Sequence, residues 1–251
     1  SIAKPRRFRL SGGPAQQARA TIDPSLVDSQ GWDAYWDEHD QPTSIAYSAI
    51  AELYRLSVIK PQLERAVFRN FPAGAHLLHA GCGSGQVDMA LQGRMRITAV
   101  DISPSALRVY ARNNPAAFDV RHADILDLPF PPESFDGVYN LGVLEHFTQD
   151  EIRRILAEFH RVLKPGGKVV IFWPHARATS VAVLKAAHWF LNDVARRPTK
   201  LHPPEVSLLR GREWVEPIVR EADFTLVDYS FGPRDFFVQA IVVAEKGQLP
   251  Q

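Results

Sequence analysis

The chain has one cysteine, Cys82, among 251 residues, so no disulfide can form within it and nothing marks it for an oxidising compartment. The cytoplasm is the default expectation. Neither charge is in excess: 29 basic and 28 acidic residues give a formal net charge of +1, with both signs interspersed. Neutralising a nucleic-acid backbone takes a broad basic face, so no nucleic-acid partner is expected and a small molecule is. No apolar run follows the basic cluster Lys4, Arg6, Arg7 and Arg9, so the start reads as a solvated tail rather than a signal peptide or membrane anchor. No transmembrane segment is expected. Internal repeats and low-complexity segments are also lacking. What remains, 45% hydrophobic and 23% charged, is the composition of a globular protein able to bury a real core.

Along the chain, short apolar runs alternate with helical spacing. Ile45, Ile50, Leu53, Leu56, Val67 and Phe68 predict two helices over 44–71, interrupted by Pro61. Strands are predicted at 75–80, 96–101, 118–121, 135–140 and 167–173, and helices at 87–91, 104–112 and 149–163. This is the rhythm of a parallel α/β sheet. Lys164-Pro165-Gly166-Gly167 supplies the break before the fifth of these strands. A nearly all-apolar stretch at 179–191, prolines at 198, 203 and 204, and a helix over 211–222 follow. Two final β runs, 224–231 and 236–244, joined at Gly232-Pro233, predict a hairpin.

The most informative segment is His79-Ala80-Gly81-Cys82-Gly83-Ser84-Gly85, where a strand runs into three alternating glycines. Such a loop lets backbone pass close to a ligand and aims helix-terminal N–H groups at it. The same glycines also fit an ordinary turn. A dinucleotide fingerprint would put its third glycine at 86, where Gln86 stands, which weakens a nicotinamide reading. Asp101 ends the second predicted strand 20 residues after Gly81, where a carboxylate can accept both hydroxyls of an unphosphorylated ribose. Otherwise Asp101 is a helix cap, for which Ser103 is better placed.

Five segments in this order resemble the class I (Rossmann-like) S-adenosylmethionine-dependent methyltransferases, in particular those acting on small molecules and lipids. They are 79–85, Val-Asp-Ile-Ser at 100–103, Ala-Asp-Ile-Leu-Asp-Leu-Pro-Phe at 123–130, Ser-Phe-Asp-Gly-Val-Tyr-Asn-Leu-Gly-Val-Leu-Glu-His at 134–146, and Arg-Val-Leu-Lys-Pro-Gly-Gly-Lys at 161–168. The resemblance implies a doubly wound, mostly parallel seven-stranded sheet ending in an antiparallel hairpin, with S-adenosyl-L-methionine as cofactor and S-adenosyl-L-homocysteine as product. It implies that His79, Ala80, Gly81, Gly83 and Gly85 pass under the methionine and ribose, that Asp101 binds the ribose and that Ile102 packs on the adenine. Ala123, Asp124 and Ile125 would frame the adenine edge, and the carbonyls of Asn140 and Leu141 would face the sulfonium. The family usually has Asp or Glu where this chain has His79, so His79 either accepts one hydrogen bond there or is a satisfied core histidine.

His146, next to Glu145 at the mouth of the expected pocket, is the candidate general base, although many relatives carry the same pair for structural reasons, and His175, His188 and His202 stand behind it. Trp32, Tyr35 and Trp36 are spaced as one aromatic face of a short helix, which relatives use as a lid and which plain packing would also explain. Residues 1–43 are expected to be a tail and lid segment. Residues 44–251 are expected to be one methyltransferase domain with a lid or acceptor-site insertion at 175–210, in which 179–191 forms an acceptor wall or a buried helix. No metal set is expected: the histidines have no ligand spacing with cysteine. The competing readings are a non-catalytic cofactor-binding protein on the same fold and a nicotinamide-dependent oxidoreductase.

Overall fold

The computed structural model describes residues 20–21, 31–39, 53, 55–178, 205–233, 237 and 239–247. The sheet contains β1 (Ala20–Thr21), β2 (His76–Ala80), β3 (Arg96–Asp101), β4 (Asp119–His122), β5 (Phe135–Leu141), β6 (Leu163–Pro174), β7 (Phe224–Ser230) and β8 (Gln239–Lys246). Its order is β1-β4-β3-β2-β5-β6-β8-β7. β1 to β6 pair in parallel, and β8 runs antiparallel to both β6 and β7. The seven expected strands are therefore all present. An eighth, β1, adds two residues at the outer edge beside β4; two residues carry no periodicity for the sequence to show.

Two faces of helices explain the near-continuous apolar strands, since a parallel sheet is buried on both sides. On one face, α4 (Gln149–Val162) contributes Ile152, Ile155, Leu156 and Phe159, and α5 (Arg212–Glu221) contributes Val215 and Val219, all packed against Leu78, Val100, Val138 and Ile171. On the other, α2 (Lys60–Asn70) sets Leu63 and Val67 against Leu77, Ile97 and Val170. There too α3 (Pro104–Asn113) buries Leu107 and Tyr110 against Ala99 and Val120. Caps begin these helices where the sequence provides them: Ser103 accepts from the Ala106 N–H of α3, and Thr148 and Glu151 form a capping box on α4.

Three expectations need correction. Pro61 does not interrupt a helix: residues 55–59 form a π-helical turn running into α2, and Pro61 occupies its first turn, where a missing N–H costs nothing. The helix expected at 87–91 is a single 3₁₀ turn, Asp88–Ala90, because the chain turns back at once into the Gln92–Met95 bridge and β3. The fifth predicted strand begins earlier, at Leu163, with a register shift against β5 between Phe135 and Gly137. The apolar segment 179–191, with His188 and His202, lies outside the described residues.

From β2 the chain winds outward through β3 and β4, then crosses back to β5 and β6 on the opposite side. The order reverses between β2 and β5, and the crevice beyond the carboxyl ends of the strands at such a reversal is the usual ligand position in these sheets.

Candidate functional site

Asn140, at the end of β5, donates from Nδ2 to the Ala80 carbonyl at the end of β2 over 2.6 Å, closing the floor of the crevice. Its side chain is wholly buried, and its Oδ1 has no hydrogen-bond partner. An orphaned acceptor costs about 1–3 kcal/mol, so this oxygen is suited to a donor that arrives with a ligand, and a cationic amino group fits it.

The glycine loop rises directly from Ala80. Gly81, Gly83 and Gly85 have φ of 72°, 50° and 61°, a region in which side chains are strained. A Cβ on Gly81 would stand 2.7 Å from Val143, and one on Gly83 would stand 2.8 Å from Trp36. The Gly83 N–H donates to Asp101 Oδ2 over 2.8 Å, and the Ser103 N–H donates to Oδ1 over 3.0 Å. Asp101 therefore joins the loop to the start of α3 with its carboxylate in the crevice, and Ser103 alone acts as the cap. Ile102 is half-buried beside it, its carbonyl 2.7 Å from His122 Nε2.

Ala123 and Ile125 are buried beyond the end of β4, and the Ala123 N–H donates to the Asp101 carbonyl over 3.1 Å. Asp124 between them accepts the Leu126 N–H at Oδ1 over 2.9 Å, so this carboxylate also braces its own turn. Leu141 is half-buried at the end of β5, where the following Gly142, at φ 62°, turns the chain.

His79 departs from the expected direct contact with a cofactor. Its ring is 2% exposed, with Nδ1 2.7 Å from Asp88 Oδ2, and it stacks on Tyr139 with centroids 4.4 Å apart. The same Asp88 oxygen accepts the Tyr110 hydroxyl over 2.7 Å. Asp88, nine residues further on, thus holds His79 and Tyr110 together behind the glycine loop. Burial, and then the Asp88 charge, hold both the Tyr110 and Tyr139 phenols well above their usual range. Asp88 and Tyr110 were missed from sequence because their meeting depends on how the 88–90 turn, the sheet and α3 pack, and no spacing rule connects them.

Over this floor lies α1 (Trp32–His39), the short helix expected from its aromatic spacing. Trp36 packs on Gly83, and the Trp32 ring meets His146 edge-on at 4.9 Å. Asp33 Oδ1 accepts from the Ser103 hydroxyl and the Ser105 N–H, each over 2.8 Å, fastening α1 to the start of α3. Burial works against Asp33 ionisation, but the bonds from Ser105 and Ser103 outweigh it and hold the carboxyl below its usual range.

On the other flank, Glu145 and His146 occupy a 3₁₀ turn, Leu144–His146, with His146 Nε2 3.8 Å from Glu145 Oε1. Glu145 is 4% exposed; burial, reinforced by Glu205, pushes its carboxyl up to about 8. His175 is drawn elsewhere, stacked on Phe231 at 4.0 Å with Nδ1 accepting the Arg177 N–H. Burial, and then Arg177, lower its pKa. Among the described residues no group of three or more His, Cys, Asp or Glu is placed to hold a metal, and no helix is long and apolar enough to cross a membrane.

The "Methyltransferase domain" family matches residues 78–171, which contain all of this floor. Residues 78–171 thus carry a methyltransferase domain of the class I S-adenosylmethionine-dependent type. An O-methyltransferase of Penicillium expansum is 32% identical over 182 residues, 68% of this chain and 60% of that protein. The 27-O-demethylrifamycin SV methyltransferase of Amycolatopsis mediterranei is 30% identical over 144 residues, 55% of this chain and 48% of that protein. The chain thus spans about half to three-fifths of the length of these two relatives.

Two solved structures share the fold. A methyltransferase of Methanosarcina mazei aligns with TM-score 0.58 at 16% identity over 72% of this chain and 97% of its own. The magnesium protoporphyrin IX methyltransferase of Synechocystis PCC 6803, solved with bound S-adenosylhomocysteine, aligns with TM-score 0.60 at 16% identity over 88% and 96%. Membership of this family sets aside the nicotinamide reading, in agreement with Gln86 standing where a dinucleotide loop needs glycine.

Proposed function

We propose that the protein transfers a methyl group from S-adenosyl-L-methionine to a small-molecule acceptor. The observation that carries this reading is the bond from the Gly83 N–H to Asp101 Oδ2, which makes glycine loop and carboxylate one cradle at the point where the strand order reverses. A carboxylate oxygen can accept more than one hydrogen bond, so Asp101 can also serve ribose hydroxyls. Gly81, Gly83 and Gly85 would underlie the methionine and ribose, Ile102 the adenine face, and Ala123, Asp124 and Ile125 its edge. Asn140 Oδ1 and the Ala80 carbonyl would take the amino group, a task that buried His79 supports only indirectly, and the Asn140 and Leu141 carbonyls would face the sulfonium.

Bound there, the cofactor supplies a methyl group already made electrophilic by its sulfonium. The protein's tasks are then alignment of the acceptor lone pair with the C–S bond and exclusion of water. α1, in the amino-terminal lid segment 1–43, serves the second task, with Trp36 on the loop and Trp32 against His146. The remainder, 44–251, is the methyltransferase domain, with 175–210 as its acceptor-side insertion. His146 is the base that would take a proton from an oxygen acceptor. The O-methyltransferase relatives support an acceptor of small-molecule size.

Calorimetric titration with S-adenosylhomocysteine and with NAD tests the reading. Binding of the first alone, weakened on the order of 100-fold or more by Asp101→Ala, is expected, since each bond to a charged group contributes about 1.5–3 kcal/mol. Binding of NAD alone would overturn it.

A further inference from the structure

Between β4 and β5 the chain runs through residues 123–134 outside any strand, so its backbone polar groups must find partners away from the sheet ladder. The first part closes on itself: Asp124 accepts the Leu126 N–H at Oδ1 over 2.9 Å and the Asp127 N–H at its carbonyl over 3.1 Å. The entry to this turn is fixed to the residue that joins the glycine loop to α3, since the Ala123 N–H donates to the Asp101 carbonyl over 3.1 Å. Its exit is fixed by two side chains of α4. Glu158 Oε2 accepts the Leu128 N–H over 2.8 Å, while Arg161 donates from Nη2 to the Leu128 carbonyl over 2.8 Å and from Nη1 to the Phe130 carbonyl over 2.7 Å. The two side chains also bind each other, Arg161 Nε to Glu158 Oε1 over 2.8 Å and Nη2 to Oε2 over 2.7 Å.

Every nitrogen of the guanidinium is engaged, and its planar fork serves a carboxylate and two carbonyls at once, which a lysine ammonium cannot do. Ile125 and Leu128 are buried in the core and set the depth of the loop, but burial has no direction. The bonds to Leu128 and Phe130 are directional and orient the peptide groups that follow the turn. We propose that Glu158 and Arg161 are positioning residues for the cofactor's adenine: by fixing the exit of the turn they set where the Asp124 carboxylate stands, and through it the preference for a 6-amino over a 6-oxo purine. The proposal rests on the cofactor reading above, in which Asp124 serves the adenine edge, and adds two residues that act on the ligand only through that turn. A carboxylate accepts from a 6-amino group and repels a 6-oxo oxygen, so the preference depends on its position. Hydrogen bonds weaken steeply once distance and angle depart from their best values, so a loosened exit is enough to reduce it.

The test titrates the whole chain by calorimetry with S-adenosylhomocysteine and with S-inosylhomocysteine, its 6-oxo counterpart. The native chain is expected to bind the first about tenfold or more tightly than the second, the worth of one bond to a charged group. Arg161→Lys, which keeps the charge and loses the fork, and Arg161→Gln are each expected to cut that ratio to about threefold or less, chiefly by weakening S-adenosylhomocysteine. Glu158→Gln, which keeps an acceptor for the Leu128 N–H, is expected to give a ratio between these and the native one. Melting curves fix, for each variant, a titration temperature at which it stays folded, so that lost stability does not imitate the effect. A pair that only stabilises the fold would lower the melting temperature and weaken both ligands alike; a native ratio in the Arg161 variants therefore overturns the proposal. Equal binding of the two ligands by the native chain overturns the role of Asp124 and the proposal with it. Failure to bind S-adenosylhomocysteine at all removes the methyltransferase reading as well.

Discussion

His79 and Asp88 form a fully buried pair, Nδ1 to Oδ2 2.7 Å, directly behind the glycine loop, and the same Asp88 oxygen takes the Tyr110 hydroxyl. Removing one member of such a cluster strands the others' donors away from water, at about 1–3 kcal/mol for each. Asp88→Ala is expected to lose stability on that scale in urea unfolding. His79→Leu combined with Asp88→Leu is expected to lose clearly less than the sum of the two single changes, because the double change leaves fewer stranded groups.

Gly85 sits at φ 61° with no room for a side chain: a Cβ there would run into the Tyr110 ring and the Asn114 amide. Asn114 also donates to the Gly85 carbonyl over 3.0 Å, so neither neighbour can withdraw without cost. Gly85→Ala combines backbone strain with overpacking, each about 1–3 kcal/mol. It is expected to lower the melting temperature by roughly 5 °C or more, given about 4 °C or less per kcal/mol in chains of this size.

Glu145 gives the stability a pH dependence of known sign. Its carboxyl titrates at about 8 when folded against 4.5 ordinarily, so between these values the folded chain holds a proton that the unfolded chain has lost. Stability from this group therefore falls by about 1.4 kcal/mol per pH unit between the two values and is level above the higher one. Glu145→Gln is expected to remove that slope and to raise the unfolding free energy at pH 9 by a few kcal/mol relative to the native chain. Parallel pH profiles for the two proteins would contradict it.

The docking of α1 depends on Asp33, whose lowered pKa means its contribution is present above the ordinary carboxylate range and is lost as pH falls through the folded value. Tryptophan fluorescence is expected to report release of Trp32 and Trp36 below about pH 4 in the native chain, taking the ordinary Asp value as the upper bound. Asp33→Ala is expected to show the released signal already at pH 7. Trp36→Ala, which uncovers Gly83, is expected to weaken S-adenosylhomocysteine about tenfold by calorimetry with little change in global stability.

Local chemistry made most of the scaffold legible in the residues. Alternating apolar runs and helical spacing marked the seven long strands; Ser103 and Thr148 stood where caps belong; and the glycine triplet followed by Asp101 marked one end of the crevice. These signals are local because propensity, capping and positive φ act over a few residues. Pro61 and the turn at 88–90 were misread because one proline suits a first helical turn as well as a break, and because a single 3₁₀ turn has no period.

Packing determines which polar groups meet. It turned His79 from the crevice to Asp88, laid Trp36 over Gly83, set the Asn140 amide on the Ala80 carbonyl, and left Glu145 Oε2 and Gln239 Oε1 buried without partners. Each of these pairs joins residues brought together by sheet order and helix packing, and burial sets the energy of every one. The fold class and the kind of ligand loop it carries were legible before any packing, because they follow from short-range backbone preferences and periodicity. The protonation of Glu145, the support of the loop and the closing contacts of α1 depend on desolvation and long-range proximity, which exist only once the chain has packed.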